Sequence, residues 1–289
     1  MLRLDPDRVS ALIREVVDAE VLPRFRHLGP DDIHTKTSPT DLVTEADLQA
    51  EAVLTRRLAD LLPGSRVVGE EAIHADPAGL DVLDGSDPVW IIDPVDGTGN
   101  FTRGNPLFAC IVALAWRGET VMGWIDHCVE RRTVRAERGA GVRSGTDPTP
   151  VRLAESTPSR LADSAPSRLA ESMPSRLATL RGQGGGRPVL AALAPHVARI
   201  DRTGSAAHTY LSLLAGRADF AVFTRLKVWD HAAGVLMYRE AGGVARLVSG
   251  ETYVPTWRAG MPLMAPDDAT WQALAALIPA PLRVPAART

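Results

Sequence analysis

Trp90-Ile91-Ile92-Asp93-Pro94-Val95-Asp96-Gly97-Thr98-Gly99-Asn100-Phe101 is the stretch on which the fold turns. Its bulky apolar opening reads as a buried strand. Asp93-Pro94-Val95-Asp96 is turn chemistry, so two carboxylates leave the strand end on one side of a tight bend. Carboxylates held this close repel each other unless a cation sits between them. Hard divalent cations take oxygen ligands of this kind. Gly97-Thr98-Gly99 then exposes backbone N–H groups, a nest suited to phosphate oxygens. Together these features predict metal-assisted phosphate chemistry. The plainer alternative is an aspartate turn that ends a strand and caps a helix.

Towards the N-terminus, Asp5-Pro6 reads as the cap and first position of a helix. Val9, Leu12, Ile13, Val16 and Val17 share one face, so this helix should run to about Phe25. Residues 28–43 read as loop. Thr44-Glu45-Ala46-Asp47 is close to a capping box, and Leu48, Val53, Leu54, Leu58 and Leu61 give the following helix its apolar face. Pro63-Gly64 ends it. Strands are predicted at Arg66–Val68, Val89–Ile92, Leu107–Trp116, Val121–Ile125 and Thr133–Glu137, with short turns that favour an antiparallel meander. Gly69-Glu70-Glu71 after the first of these reads as a solvated acidic loop.

Towards the C-terminus, strands are predicted at Val189–Leu193, Phe220–Phe223, Val244–Val248 and Met261–Met264. Helices are predicted at Ser205–Leu214, Asp230–Ala241 and Asp267–Leu277. Asp230 is placed as a helix cap or a ligand, and Gly242-Gly243 as a glycine stop. Between the two halves, Arg152, Arg160, Arg168 and Arg176 each open Arg-Leu-Ala, with a period of eight. Pro158, Pro166 and Pro174 prevent one continuous helix. This repeat, leading into a flexible Gly182–Gly186, reads as a surface insertion without chemistry. The expected organisation is therefore 1–150, an insertion at 151–186, and 187–289.

Composition narrows the function class. The chain has 289 residues, 45% of them apolar, which supports a sizeable core and excludes global disorder. Its formal charge of −3 argues against a nucleic-acid binder or an anionic-membrane partner. Cys110 and Cys128 are too few for a disulfide scaffold or a cysteine zinc site. The first residues carry charge rather than an apolar signal-peptide core, and the longest apolar run, Leu107–Trp116, is about half a membrane span. A soluble, cytoplasmic protein is expected. Of 32 basic residues only Lys36 and Lys227 are lysines, and Asn100 and Asn105 are the only asparagines. Rare residues kept against such a bias mark positions where their chemistry matters.

These motifs, in this order, resemble the inositol monophosphatase family over nearly the whole chain. Lys36, Asp41, Thr44 and Asp47 match its first motif, Gly69-Glu70-Glu71 its second, and residues 90–101 its third. Arg202–Ala207 and Trp229–Gly234, followed by Glu240-Ala241-Gly242-Gly243, match the remainder. The resemblance implies an α/β (α+β) fold, a layered αβαβα sandwich with a mostly antiparallel first sheet and a second, smaller C-terminal sheet. It implies a Mg2+-dependent phosphatase of small phosphate esters and a homodimer. Glu70, Asp93 and the Val95 carbonyl would hold one Mg2+, and Asp93, Asp96 and Asp230 a second. Glu70 would hold a third, weaker ion through water, with Asp47 in support. Thr98, oriented by Asp47, would help Glu70 position the attacking water. The Gly97 and Thr98 amides would bind phosphate, and Lys36 would hold the carboxylates or the phosphate.

Ser205, Ala206 and Phe223 are expected at the substrate pocket. Phe223 departs from the pattern, since inositol-hydrolysing members carry a glutamate there. That departure puts inositol in doubt and leaves phosphate hydrolysis untouched. Histidinol-phosphate phosphatase, 3′(2′),5′-bisphosphate nucleotidase and fructose-1,6-bisphosphatase are the alternatives within the superfamily. A non-catalytic regulatory protein with the same fold is the alternative outside it.

Overall fold

A computed structural model describes residues 4–29, 32–36, 42–145 and 172–288. Asp41 and the repeat up to residue 171 lie outside the described residues. At the centre is β4 (Val89–Asp96), whose eight residues are all buried. Trp90 and Ile92 enter one core, Val89 and Ile91 another, as the two-residue period of a strand requires. β4 pairs in parallel with β3 (Arg66–Gly69) and antiparallel with β5 (Ala109–Trp116). The meander continues through β6 (Glu119–His127), β7 (Arg132–Glu137) and β8 (Gly141–Ser144), completing a six-stranded sheet in the order β3-β4-β5-β6-β7-β8.

On the Trp90 face lie α1 (Pro6–Val16) and α2 (Glu45–Leu61). Asp5 caps α1 by accepting from the Asp7 amide at 2.9 Å, and a π-helical turn, Val17–Val21, continues it. The Ile91 face is covered by α7 (Ala206–Leu214) and α8 (Val228–Glu240). Both helices also touch the second sheet, so α8 is buried nearly all round, which explains its lack of a polar face. That sheet has the order β10 (Arg199–Asp201), β9 (Arg181–Gly184), β11 (Phe220–Val222), β13 (Pro262–Ala265) and β12 (Val244–Leu247). α5 (Met173–Leu177), α6 (Arg187–Leu193) and α9 (Asp268–Leu277) close its far side. The result is the expected αβαβα sandwich. No helix among the described residues is long and apolar enough to cross a membrane.

Four local expectations fail. Residues 28–43 are not all loop, because β1 (Ile33–Thr35) and β2 (Leu42–Thr44) pair antiparallel. Val189–Leu193 is helical, belonging to α6, with Pro188 in its first turn where a missing N–H costs nothing. The predicted strand lies instead in the glycine-rich run read as flexible. β9 is the second strand of its sheet, flanked by β10 and β11. A side chain at Gly182 would come within 2.2 Å of the Phe220 ring, so glycine is there for close packing. The last copy of the repeat is likewise not a solvated excursion. Leu177 is buried in the core that also holds Phe220, Leu263 and Trp271, and Arg176 pairs with Asp267.

Candidate active site

The pairing of β4 with β5 slips between Asp93 and Asp96. Asp93 stands opposite Ile111 and Asp96 opposite Ala109, so β4 spends three residues where β5 spends two. Pro94 lacks an N–H for the ladder, and the extra residue is a bulge. It reverses the alternation. Val95 packs with Trp90 and Ile92, while Asp93 and Asp96 share the opposite side, towards α7 and α8. The turn then closes at Gly97, whose φ is +93° and where a Cβ would come within 3.0 Å of the Leu107 carbonyl oxygen, so a side chain there would be both strained and crowded. The short helix α4 (Thr98–Thr102) follows, with its first bonds running from the Asn100 and Phe101 amides to the Gly97 carbonyl.

Asp230 is the third residue of α8 rather than its cap, which is Lys227. Suitable oxygens of Asp93, Asp96 and Asp230 all lie within 4.8 Å of one another. No lysine or arginine among the described residues bridges any of the three. Asp96 already accepts from Ala206 N at 3.0 Å, Ala207 N at 2.8 Å and the Ser205 hydroxyl. A carboxylate has about four lone-pair sites, so one remains for a cation. Asp93 accepts from the Val95 amide at 3.1 Å. Burial pushes the Asp96 carboxyl up to about 6. Burial, then repulsion from neighbouring carboxylates, raises Asp93 and Asp230 well above the ordinary range. A donor set of crowded, oxygen-only, largely buried acids fits a hard divalent cation.

Glu70 stands apart from this trio. It is the first residue of α3 (Glu70–Ala75), so the acidic pair is helical rather than solvated loop. Its Oε1 accepts from Lys36 Nζ at 3.3 Å and Lys227 Nζ at 2.9 Å, so the only two lysines of the chain meet on one oxygen. Burial opposes ionisation, but these ammonium groups hold Glu70 below the usual carboxylate range. Lys36 also donates to Glu71 at 2.6 Å. Glu51 supports the start of α3 by accepting from the Glu71 and Ala72 amides, each at 2.8 Å. Asp47, the third residue of α2, accepts from the Thr44 amide at 2.9 Å and from the Thr98 hydroxyl at 3.2 Å. Thr98 Oγ1 also lies 3.1 Å from the Val95 carbonyl. Burial pushes Asp47 up to about 7. The starts of α2, α3, α7 and α8 thus all meet these acids, and their positive dipole ends offset part of the charge.

The pocket expectations fare differently. Ser205 and Ala206 are committed to Asp96. Phe223 packs against the core between the sheets, stacked on Tyr210 with centroids 5.5 Å apart and edge-on to His231 at 4.7 Å. Its ring is therefore occupied by other aromatics. Sequence reasoning left out Glu51 and the contact of Lys227 with Glu70. The rarity of lysine was the available signal for Lys227; Glu51 had none. Asn100, equally rare, ties the turn to its neighbours by donating to the Leu107 carbonyl at 2.7 Å and the Thr203 carbonyl at 2.8 Å.

A family model for the inositol monophosphatase family matches residues 10–280. The chain belongs to that family. It is 32% identical to the inositol-1-monophosphatase of Mycobacterium leprae over 219 residues, covering 76% of this chain and 72% of the relative. It is 30% identical to the fructose-1,6-bisphosphatase/inositol-1-monophosphatase of Thermotoga maritima, covering 76% and 77%. The solved Thermotoga maritima IMPase superposes with a TM-score of 0.74 at 25% identity, covering 94% of this chain and 96% of that one. As an inositol monophosphatase family member, the protein is a phosphoric monoester hydrolase acting on small phosphate esters.

Proposed function

We propose that this phosphatase is Mg2+-dependent, and that its substrate is a small phosphorylated polyol or sugar. The observation that carries the reading is the convergence of Asp93, Asp96 and Asp230 within 4.8 Å, the first two buried and Asp230 partly so, with no salt bridge to any of them among the described residues. Glu70, Asp93 and the Val95 carbonyl would hold one ion, and Asp93, Asp96 and Asp230 a second. Glu70 and Asp47 would support a third. When bound, Mg2+ neutralises phosphate charge and makes a coordinated water more acidic.

The chain's own groups do the positioning. The Gly97 and Thr98 amides precede the first bonds of α4 and are free to face phosphate oxygens. The Thr98 hydroxyl donates to Asp47 Oδ1, which leaves its oxygen to accept one hydrogen bond from the attacking water. Glu70, kept ionised by Lys36 and Lys227, accepts the other. A cytoplasmic homodimer is part of the same reading.

Fructose 1,6-bisphosphate, histidinol phosphate and 3′(2′),5′-bisphosphate nucleotides remain alternatives to an inositol phosphate. The test is hydrolysis of p-nitrophenyl phosphate with Mg2+ and with chelator, followed by a panel of metabolite monophosphates and bisphosphates. Turnover that survives exhaustive chelation overturns the metal reading. Efficient turnover of inositol 1-phosphate overturns the doubt raised by Phe223.

A further inference from the structure

Two buried histidines outside the proposed ligand set form a continuous hydrogen-bonded line to it. Ser205 donates its hydroxyl proton to Asp96 Oδ2. The same hydroxyl oxygen lies 3.1 Å from the His208 amide and 3.0 Å from His208 Nδ1. His208 Nε2 lies 3.1 Å from His127 Nε2, with the rings edge-on. His127 Nδ1 in turn accepts from the Glu130 amide at 3.2 Å. His127 and His208 are 6% and 4% exposed, on the end of β6 and the first turn of α7.

The two ends fix every proton between them. A backbone amide only donates, so His127 Nδ1 is bare and its Nε2 carries the hydrogen, which faces both His208 Nε2 at 3.1 Å and Glu130 Oε1 at 3.2 Å. His208 Nε2 is then the acceptor, and its Nδ1 carries the hydrogen. Both lone pairs of the Ser205 hydroxyl are filled by His208, which leaves its single proton one direction, towards Asp96. Burial favours the neutral form of both rings and lowers His208 to about 4. The charged groups that reach the pair are Glu130, Arg132 and Arg217.

We propose that His208 and His127 are positioning residues, a relay that locks the Ser205 hydroxyl and through it the Asp96 carboxylate in the orientation that leaves one oxygen lone pair for a divalent ion. The relay rests on the metal reading above for its consequence, but not for its existence. Neither histidine lies in the motifs that carry the family resemblance.

The existence of the relay is read by ¹⁵N NMR of the imidazoles at pH 7, without added metal. The expected result is the Nδ1–H tautomer at His208 and the Nε2–H tautomer at His127. The opposite tautomers, or a cationic His208, overturn the relay. Its consequence is read by calorimetric titration of Mg2+ into the full chain. Loss of an outer-shell partner costs about 10–100-fold in metal affinity, so Ser205→Ala should fall in that range and His208→Leu near tenfold. His208→Asn, whose amide can still donate to Ser205, should stay within about threefold of wild type. If His208 acts through Ser205, His208→Leu has no further effect in the Ser205→Ala background. Additive losses, or unchanged affinity in a folded His208→Leu, overturn the proposal. Wild-type protein that binds no Mg2+ overturns the metal reading and the proposed consequence together, and the tautomers then decide separately whether the hydrogen-bonded line exists.

Discussion

The two ends of the acidic cluster are both built of largely buried carboxylates, with opposite solutions to charge. At one end Glu70 and Glu71 are neutralised from within by Lys36 and Lys227. At the other, Asp93, Asp96 and Asp230 face one another with no salt bridge among the described residues. Isolated buried carboxylates cost several kcal/mol unless protonated or paired. The charge of the first end is therefore offset as folded, whereas the second is built for a charge that comes from outside.

The sharpest way to break this contrast is Asp93→Asn. Turnover should fall by about a hundredfold or more, since metal stabilisation of the transition state is worth several kcal/mol. The metal-free melting temperature should stay level or rise, because one member of a repelling trio is gone. Retention of more than a tenth of wild-type turnover at saturating Mg2+ would count against the site.

Lys36→Met probes the other end. Lys36 is 4% exposed and serves two carboxylates. Removing one partner of a buried pair costs about 3 kcal/mol or more, so differential scanning calorimetry should show a melting temperature lower by roughly 6–12 °C. Lys227→Met should cost about 1 kcal/mol or less, because its side chain is 36% exposed and solvent screens the pair. Equal losses at the two lysines would contradict this division of roles.

The third test uses pH. Asp96 titrates at about 6 and Asp47 at about 7 against an ordinary value of 3.8. Native protein thus binds more protons than unfolded chain between about pH 4 and 7, so metal-free stability falls as pH rises through that window. Mg2+ at a hundred times its dissociation constant should restore about 2.7 kcal/mol, roughly 5–10 °C. The thermal shift should be larger at pH 8 than at pH 5. A shift that shrinks with rising pH would sink the metal assignment of the trio.

Most of the first sheet was legible because its strands are short, bulky apolar runs bounded by turns, as in Val89 to Ile92. Asp93-Pro94-Val95-Asp96 was legible as a turn, though not as a bulge that switches Val95 and Asp96 between faces. β9 was illegible because glycine signals flexibility in isolation, and the Phe220 ring that demands it arrives 38 residues later in the chain. The contact between Lys227 and Glu70 spans 157 residues; only tertiary structure brings such groups together. The same holds for Phe223, whose aromatic partners come from α7 and α8.

The smallest effect is expected from removing Ser159 to Glu171, which contains none of the residues that carry the family resemblance. Loop-length changes cost little, so turnover and the Mg2+ shift should both stay within about twofold of wild type. A large loss in a folded deletion variant would make the repeat a cover for the site.

The convergence of Lys36 and Lys227 on Glu70 has a practical side. Apart from the α-amino group, these are the only primary amines in the chain. An ordinary acylating or reductive-methylating reagent therefore becomes site-directed on this protein without any design. Lys227, more open than Lys36, would react first, and intact mass would count the adducts. Occupants of the cluster would register as protection of one amine, readable by peptide mapping with no assay of turnover at all.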